Sequence, residues 1–411
     1  MKSLIALKIR IICFLFIFLS ACRMNSNDVL NLSVHPEVEL NYLVYMAADN
    51  NLERFAIKNI KALQEVGSNN YTNIIVLFDR SPGYDKSEDN RIGTDLFYIT
   101  KNPSRMNDDI IFEYGEFDMT NSKTLYNFLA TVNQYYPARH TVLNIWSHGR
   151  GVYPDGIITR SVIEDYTTSY SVKNMMSIYD LAESIKKYEN MFTKNIDVIQ
   201  FDCCTMQMLE VAYQLHSLTN YIVGAETEIP GGGSDYKAIA EYLYYDTSFD
   251  ARNFSIFLVD SFSKKYNETL HTYSYSALDL SKLDNFISKF NIFCDELISR
   301  IPEKIVEIKQ VRETLLSTDS SYTEFVDLYE FIEKINNLGI STSITRDDFF
   351  ELLPASKMSD NYTDKFIGLA INFPNTEKEQ SYYRVSASTD YTELDFYSAT
   401  KWRDFLLEYW R

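Results

Sequence analysis

A histidine and two adjacent cysteines follow two apolar runs that each have the pattern of a buried strand. The first run, residues 140–146, leads into Ser147-His148-Gly149, and the second, residues 196–201, leads into Asp202-Cys203-Cys204. Helix-like sequence follows both, and open parallel sheets bind their ligands at the carboxyl ends of the strands. The two segments should therefore bring an imidazole and a thiol to one edge of a sheet, where the imidazole can activate the thiol as a nucleophile.

The rest of the chain alternates strand-like and helix-like segments. Up to residue 225, strands are predicted at 41–48, 73–79, 140–147, 196–202 and 221–225, helices at 52–66, 122–136, 177–188 and 206–216, and a hairpin-like excursion at 94–101 and 110–116. This alternation predicts an α/β fold with a mostly parallel sheet and helices on both faces. From about residue 246 the sequence is helix-rich, with predicted helices at 251–266, 280–299 and 322–337, a strand-like segment at 366–374 and a terminal helix to Trp410.

Composition and charge indicate the class of protein. The chain has 411 residues, 45% of them hydrophobic, which is enough for a sizeable core and excludes a disordered protein. Its formal net charge is −18 and it contains no basic run. Nucleic acid is therefore excluded as an expected partner, and a cationic substrate is favoured.

The N-terminus has the features of a targeting segment. Lys2, Lys8 and Arg10 precede an apolar run at 11–19 that is too short for a comfortable transmembrane helix. The following Leu19-Ser20-Ala21-Cys22 resembles a bacterial lipoprotein box, which implies cleavage before Cys22 and a lipid on its sulfur. The alternative is an ordinary signal peptide with an incidental cysteine. We expect residues 1–21 to be the signal peptide and 22–38 a tether, giving an exported lipoprotein anchored on the periplasmic face or the cell surface.

Cysteine usage fits this compartment without a disulfide framework. After processing and lipidation, the folded part keeps Cys203, Cys204 and Cys294, and a bridge between the first two would be strained. The Cys and His spacing suits no zinc site, so neither a metal nor another cofactor is expected. A thiol that persists unpaired in an oxidising compartment needs another explanation, and catalysis is one.

Six segments, taken in order, resemble the clostripain-like cysteine peptidases, a family with a caspase-like fold. They are Tyr45-Met46-Ala47-Ala48-Asp49-Asn50-Asn51-Leu52-Glu53, Trp146-Ser147-His148-Gly149-Arg150-Gly151, Phe201-Asp202-Cys203-Cys204-Thr205-Met206 with Glu210-Val211-Ala212-Tyr213, Glu226-Thr227-Glu228-Ile229-Pro230-Gly231, Ser276-Ala277-Leu278-Asp279-Leu280-Ser281, and Gly368-Leu369-Ala370-Ile371-Asn372-Phe373-Pro374. The resemblance implies a three-layer caspase-like α/β fold, with a peptidase core at 39–245 and a helix-rich C-terminal part at 246–411 that completes it.

The resemblance also implies roles for the residues at the two strand ends. The family commonly has Asp-Ala-Cys, which puts the nucleophile at Cys204 and a small buried residue at Cys203. Strand alternation agrees, because Asp202 and Cys204 share a direction if the strand continues that far. His148 would act as base toward the thiol and as acid toward the leaving amine, in a Cys/His dyad. The backbone N–H groups of Gly149 and Cys204 would form the oxyanion hole.

Asp202 is the candidate for substrate recognition. Family members cleave after Arg or Lys, and a buried guanidinium needs a carboxylate partner. The alternative is that Asp202 accepts hydrogen bonds from backbone N–H groups in the loop. This chain departs from the family nearby, because Gly232-Gly233-Ser234 stands where an acidic residue and then Gly-Trp are often found. Asp235, Glu226 and Glu228 are the residues that we expect to supply the missing charge.

Self-cleavage between the histidine and cysteine motifs is frequent in the family. The long connection at 152–194 contains several basic residues, and we favour Arg160 as the processing site over a reading of this segment as a fixed surface loop. The sequence thus predicts an exported, lipid-anchored, monomeric cysteine endopeptidase that acts on proteins or peptides, cleaves after Arg or Lys and needs no cofactor. The alternatives are a non-catalytic surface lipoprotein that uses the fold for binding, and an enzyme acting on another acyl substrate.

Overall fold

The computed structural model describes residues 33–152, 162–167, 175–269, 272–321, 323–363, 365–375 and 394–411, together with the backbone of 154–155 and 158–159. Its strands are β1 Val38–Ala48, β2 Thr72–Arg80, β3 Gly93–Tyr98, β4 Ile110–Gly115, β5 Ala138–Trp146, β6 Pro154–Asp155, β7 Ile158–Thr159, β8 Val162–Glu164, β9 Met175–Met176, β10 Ile196–Asp202, β11 Thr219–Ala225, β12 Ser274–Asp279, β13 Phe325–Asp327, β14 Ala355–Met358 and β15 Ala370–Asn372.

The helices of the described residues are α1 Glu53–Gln64, α2 Ser122–Tyr135, α3 Ile178–Phe192, α4 Leu209–Leu215, α5 Tyr236–Tyr245, α6 Ala251–Tyr266, α7 Leu283–Thr314, α8 Leu328–Asn336, α9 Arg346–Leu352, α10 Asp395–Ala399 and α11 Trp402–Tyr409. None of them is both long enough and apolar enough to cross a membrane. Residues His35–Arg411 form one compact unit.

A nine-stranded sheet, counted over the described residues, forms the centre of this unit in the order β14-β12-β11-β10-β5-β1-β2-β3-β4. The five middle strands, from β11 to β2, run parallel, and antiparallel strands extend both edges. Every residue of β2 is buried, as expected of a parallel strand that is covered on both faces. The predicted mixed α/β architecture with a mostly parallel sheet is confirmed.

Helices cover both faces of the sheet. On one face, Tyr42 and Val44 of β1 share an apolar core with Ile60 of α1 and Phe254 of α6. On the other face, the ring of Tyr45 lies 6.0 Å from that of Phe128 in α2, measured between ring centroids. Because side chains alternate along β1, this one strand contributes residues to the apolar core on each face of the sheet.

The C-terminal part is less purely helical than the sequence indicates. Strands β12 and β14, both after residue 246, extend the central sheet next to β11. The helix predicted at 322–337 is shorter, because β13 occupies Phe325–Asp327 and pairs with β15. The residues after 246 are thus part of the central sheet as well as of the helical layer.

Candidate active site

The register of two neighbouring strands brings the histidine and cysteine segments together. Strands β5 and β10 pair in parallel, with Trp146 opposite Asp202. His148 and Cys204 each lie two residues beyond this pair. Gly149 allows the two strand ends to approach, since a Cβ there would lie within 3.0 Å of both the Cys204 carbonyl oxygen and the Cys203 Cβ. A side chain at position 149 would therefore push the two segments apart.

The two adjacent thiols have different surroundings. Cys203 is 1% exposed, and its Sγ donates to the Ile145 carbonyl oxygen at 3.2 Å. Cys204 is partly exposed, and its Sγ accepts from the Ile229 N–H at 3.4 Å. Burial raises the pKa of Cys204 to about 11, opposed by the Ile229 N–H and reinforced by the negative charge of Glu228. The thiol is thus neutral at pH 7 and needs a base before it can attack.

The imidazole of His148 is held by two polar side chains. Its Nε2 lies 2.7 Å from Asn51 Oδ1 and 3.7 Å from Glu164 Oε2, and Arg150 donates to Glu164 Oε1 at 2.9 Å. An amide oxygen only accepts, so the Asn51 amide as assigned puts the proton on Nε2 and leaves Nδ1 as the basic nitrogen. Burial lowers the pKa of His148, while Glu164 opposes this shift and Arg150 adds to it. The histidine is therefore neutral near pH 7 and able to take a proton.

Asn51 and Glu164 are the site residues that sequence reasoning missed. Asn51 belongs to the first of the six family-like segments, where its amide carried no visible chemical signal. Glu164 lies in β8, within the connection interpreted only as a candidate processing loop. Segment 162–164 lies beside the histidine because Ile163 N donates to the His148 carbonyl oxygen at 3.2 Å.

A cleft of about 100 Å³ contains three of the predicted site residues. His148, Cys204 and Asp202 line it together with Leu52, Trp146, Ser147, Ile229, Pro230, Gly231 and Gly233. The predicted base, the predicted nucleophile and the candidate recognition carboxylate thus share one concave surface between the ends of β5 and β10. Leu52, Trp146 and Ile229 give part of the cleft an apolar lining.

Asp202 is almost completely buried and is hydrogen-bonded by its own chain. It is 4% exposed, and it accepts from Ser234 N at 3.1 Å to each carboxylate oxygen and from the Tyr236 hydroxyl at 2.7 Å. Gly233, at φ +54°, lies so close that a Cβ would approach the carboxylate within 3.0 Å. Burial raises the pKa of Asp202, and the hydrogen bonds from Tyr236 and Ser234 counter that shift.

A lysine side chain contacts the loop Gly232–Ser234, which adjoins Asp202. Lys265 of α6 donates from Nζ to the carbonyl oxygens of Gly232, Gly233 and Ser234, each at 3.0 Å. Its ammonium favours the ionised form of Asp202 and so opposes the rise in the pKa of that carboxyl that burial causes. A Cβ at Gly232 would lie 3.8 Å from Nζ. Lys265 therefore faces the position where the family often has an acidic residue.

The other predicted site residues lie apart from the cleft or outside the described residues. Asp235 caps α5, with its carboxylate accepting from Ala238 N at 3.1 Å. Glu226 is 0% exposed, and burial next to Asp327 raises its pKa well above the usual range. Because neither carboxylate lines the cleft, neither replaces the missing acid at position 232. Arg160 and Cys22 lie outside the described residues.

Comparison with known proteins identifies the family. A family model described as the clostripain family, peptidase C11, matches residues 44–410. The chain belongs to the clostripain family. It is a cysteine endopeptidase, as the sequence predicted. Membership in a peptidase family favours this function over the alternative of a non-catalytic binding protein.

Individual members of the family have low sequence identity to this chain. Clostripain of Hathewaya histolytica is 22% identical over 425 residues, covering 88% of this chain and 78% of that protein. A secreted C11 cysteine protease from Bacteroides thetaiotaomicron, solved with an irreversible peptide inhibitor, is 21% identical with a TM-score of 0.63, covering 89% of this chain and 99% of that one. An inactive zymogen C11 protease from Parabacteroides distasonis gives the same four values. These structural similarities confirm the caspase-like fold.

Proposed function

We propose that this cysteine endopeptidase uses Cys204 as its nucleophile and His148 as its general base. The observation that carries the proposal is the shared register of β5 and β10, which puts the two side chains in one cleft with Gly149 against the Cys204 backbone. The neutral thiol and the neutral imidazole are the starting forms that such a pair needs.

The geometry supports a two-stage acyl transfer. The Cys204 proton passes to Nδ1 of His148 as the sulfur attacks the substrate carbonyl, and the backbone N–H groups of Gly149 and Cys204 stabilise the oxyanion. The imidazolium then protonates the leaving amine, which departs and leaves a thioester. A water molecule activated by His148 hydrolyses the thioester and regenerates the thiol. Asn51 and Glu164 hold Nε2, and the Glu164 carboxylate stabilises the transient positive charge.

Substitution of the two thiols tests the proposal directly. Because a catalytic pair acts as a unit, Cys204→Ala and His148→Ala should each reduce turnover of a peptide substrate by several orders of magnitude. Cys203→Ala is the matched control and should retain most activity, since the Cys203 thiol is in the core. Mass spectrometry should locate a peptide-directed alkylating agent on Cys204. Labelling of Cys203 instead would refute the assignment.

We propose a modest preference for Arg, and less for Lys, before the scissile bond. The carboxylate of Asp202 at the cleft favours a cationic side chain of the substrate. The preference should be modest, because the oxygens of Asp202 already accept three hydrogen bonds and Lys265 supplies a counter-charge. The decisive assay compares matched peptides with Arg, Lys, Gln and Leu at that position. Asp202→Asn should lower kcat/KM for the Arg peptide more than for the uncharged ones. Equal or better cleavage after Leu or Gln would exclude the basic preference.

We further propose that the protein is exported, processed before Cys22, anchored by lipid and monomeric. The support is the Leu19-Ser20-Ala21-Cys22 box after a short apolar run. Two or more acyl chains give stable membrane residence where a single chain is marginal. Cys22→Ser should abolish incorporation of labelled lipid and leave the precursor unprocessed. Normal maturation without lipid in the unaltered protein would disprove the anchor.

Activation by self-cleavage at Arg160 is the remaining part of the proposal. Its support is that self-cleavage between the histidine and cysteine motifs is frequent in the family, and that Arg160 lies in this connection. N-terminal sequencing of purified active enzyme should find a second terminus at residue 161, and Arg160→Gln should remove it. A single uncut chain with full activity would contradict this step.

A further inference from the structure

Two exposed tyrosine rings contact each other on the side of His148 away from Cys204. Tyr84 is 55% exposed and Tyr166 is 40% exposed, and their ring centroids are 6.3 Å apart at an interplanar angle of 60°. Single exposed apolar residues are ordinary on a protein surface. Two exposed rings in an edge-to-face arrangement form a patch on which a further ring can pack.

The backbone of Tyr166 is bound to one of the segments that hold the imidazole. Its N–H donates to the carbonyl oxygen of Asp49, which lies two residues before Asn51. Burial and then the negative charge of Glu164 raise the pKa of Tyr166, because its hydroxyl lies near that carboxylate. Glu164 Oε2 is in turn 3.7 Å from Nε2 of His148. Tyr166 therefore lies close to the catalytic cleft.

A buried arginine fixes the loop that carries Tyr84. Arg80 is 1% exposed, and its guanidinium donates to the Asp85 carbonyl oxygen at 3.1 Å and to Glu53 Oε1 at 2.7 Å. Glu53 Oε2 accepts from Asp85 N at 2.8 Å. The residue after Tyr84 is thus held at both its N–H and its carbonyl group. A loop ordered before binding loses less entropy when a ligand packs on it.

The order of the strands indicates the direction in which a substrate crosses the site. Cys204 follows β10, His148 follows β5, Tyr166 is bound at the end of β1 and Tyr84 follows β2, and these four strands are neighbours in that order. In the proposed mechanism the sulfur attacks the carbonyl carbon and the imidazole protonates the leaving nitrogen. The residues after the scissile bond therefore pass over the ends of β1 and β2.

We propose that Tyr84 and Tyr166 form a subsite for an aromatic side chain within the first three residues after the scissile bond. This inference rests on the proposed function, because Cys204 and His148 define the leaving-group side. Neighbouring strands are about 4.8 Å apart and an extended peptide advances about 3.4 Å per residue, so the ends of β1 and β2 correspond to these positions. The nearby Glu164 and Arg150 are paired with each other at 2.9 Å, so they offer no net charge to a charged side chain.

The test compares peptides that share one acyl part, the best cleaved of the Arg, Lys, Gln and Leu series. They carry Gly, Phe or Lys at one of the first three positions after the scissile bond. At one position, Phe should exceed Gly in kcat/KM about tenfold. Tyr84→Ala and Tyr166→Ala should each lower this Phe to Gly ratio about threefold or more, whereas Tyr166→Phe keeps the ring and should keep the ratio. Tyr71→Ala is the matched control, because Tyr71 is 48% exposed and precedes β2 at the opposite end of that strand.

Three results of this comparison would overturn the proposal. Equal cleavage of the Phe and Gly peptides at all three positions would exclude the subsite. A ratio that both alanine variants leave unchanged would exclude the two tyrosines as its residues. A preference for Lys over Phe would refute the aromatic class of the side chain.

Binding to the Cys204→Ala variant separates the subsite from the proposed nucleophile. Fluorescence anisotropy with labelled peptides should give a Kd about tenfold lower for the Phe peptide than for the Gly peptide, without turnover. Equal binding of the two peptides would refute the subsite while the assignment of Cys204 stands. Turnover by this variant would refute the nucleophile, and the Phe to Gly ratio would still measure the subsite.

Discussion

Two acidic regions flank the histidine strand, and their carboxylates are satisfied in different ways. We name them the Asp202 pocket (Asp202, Gly232–Ser234, Tyr236 and Lys265) and the Asp79 cluster (Asp49, Asp79, Glu116 and Asp165). In the sheet order β10-β5-β1-β2, the strand that leads to His148 lies between them. Asp202 has donors on both oxygens and a nearby ammonium, whereas Asp49 and Asp79 each keep one buried oxygen that has no partner among the described residues.

The difference shows how each region offsets its buried negative charge. In the Asp202 pocket, donors of the chain contact both carboxylate oxygens, and the ammonium of Lys265 lies on the adjacent backbone carbonyls. In the Asp79 cluster, one oxygen of Asp49 and one of Asp79 lack such a donor among the described residues, and burial raises the pKa of Asp79. Buried carboxylates on the two sides of one strand are thus stabilised in two ways, by hydrogen bonds in one region and by a shifted protonation equilibrium in the other.

The largest expected effect is on stability when the Asp202 pocket is broken. Asp202→Ala leaves Ser234 N–H and the Tyr236 hydroxyl without an acceptor in a buried site, which should lower the free energy of unfolding by about 3 kcal/mol. Asp235→Ala, which removes only the cap of α5, should cost about 1 kcal/mol. Urea denaturation of the two variants measures both values. Equal losses would mean that the internal bonds of Asp202 contribute no more than a helix cap.

The contribution of the Asp79 cluster to stability should depend on pH. Burial and the neighbouring Asp165, Glu116 and Asp49 raise the pKa of Asp79 well above its usual value. The folded state therefore holds a proton that the unfolded state has lost above about pH 4, so stability falls as pH rises through that window. The slope from one such group is at most about 1.4 kcal/mol per pH unit.

This slope is measured as a difference between two proteins. Other buried acids, such as Glu210 with a pKa raised to about 8, contribute a slope of the same sign. Asp79→Asn should remove only the contribution of the cluster and flatten the curve of unfolding free energy against pH. Parallel curves for the unaltered protein and the variant would show that Asp79 does not titrate differently in the folded state.

A change of specificity in the Asp202 pocket should be smaller and should need two substitutions. Judged by the sequence alone, Gly232→Asp should restore the acid that the family often has at this position and sharpen the preference for Arg. The structure alters this prediction, because a Cβ at position 232 lies 3.8 Å from Lys265 Nζ and the new carboxylate would pair with that lysine. Gly232→Asp alone should leave the Arg to Leu ratio of kcat/KM nearly unchanged. Combined with Lys265→Met, it should raise the ratio about tenfold. A full gain from Gly232→Asp alone would show that Lys265 does not compete with substrate.

The sequence predicted elements best where the hydrophobic pattern is long and regular. The predicted strand at 196–202 and helix at 251–266 coincide with β10 and α6. Helix α5 was not predicted, because Tyr-Lys-Ala-Ile-Ala-Glu-Tyr-Leu-Tyr-Tyr is rich in aromatic residues that favour strands. Strands β12 and β14 are short, and their pairing depends on partners that no local pattern reveals.

The same distinction holds in the site. His148 and Cys204 could be placed on one edge because each follows a recognisable strand. Asn51 lies 97 residues from His148, and Lys265 lies 33 residues from the Gly232 carbonyl that it binds. Contacts of this range arise from the folded arrangement of loops and helix ends. No spacing rule in the sequence predicts them, and the same holds for the four segments of the Asp79 cluster.

The smallest expected effect concerns the charges that tune His148 between the two regions. Burial lowers its pKa, so the acidic limb of the profile of kcat/KM against pH should lie below 6.5, the usual value for histidine. Glu164 raises the pKa and Arg150 lowers it. Glu164→Gln should therefore move the limb to lower pH and Arg150→Gln to higher pH. Both shifts should shrink at high salt, because these side chains are partly exposed and their charges are screened. Arg139→Gln, at the exposed start of β5, is the matched control and should leave the limb in place. Shifts in the same direction for Glu164→Gln and Arg150→Gln would show that the acidic limb belongs to a group other than His148.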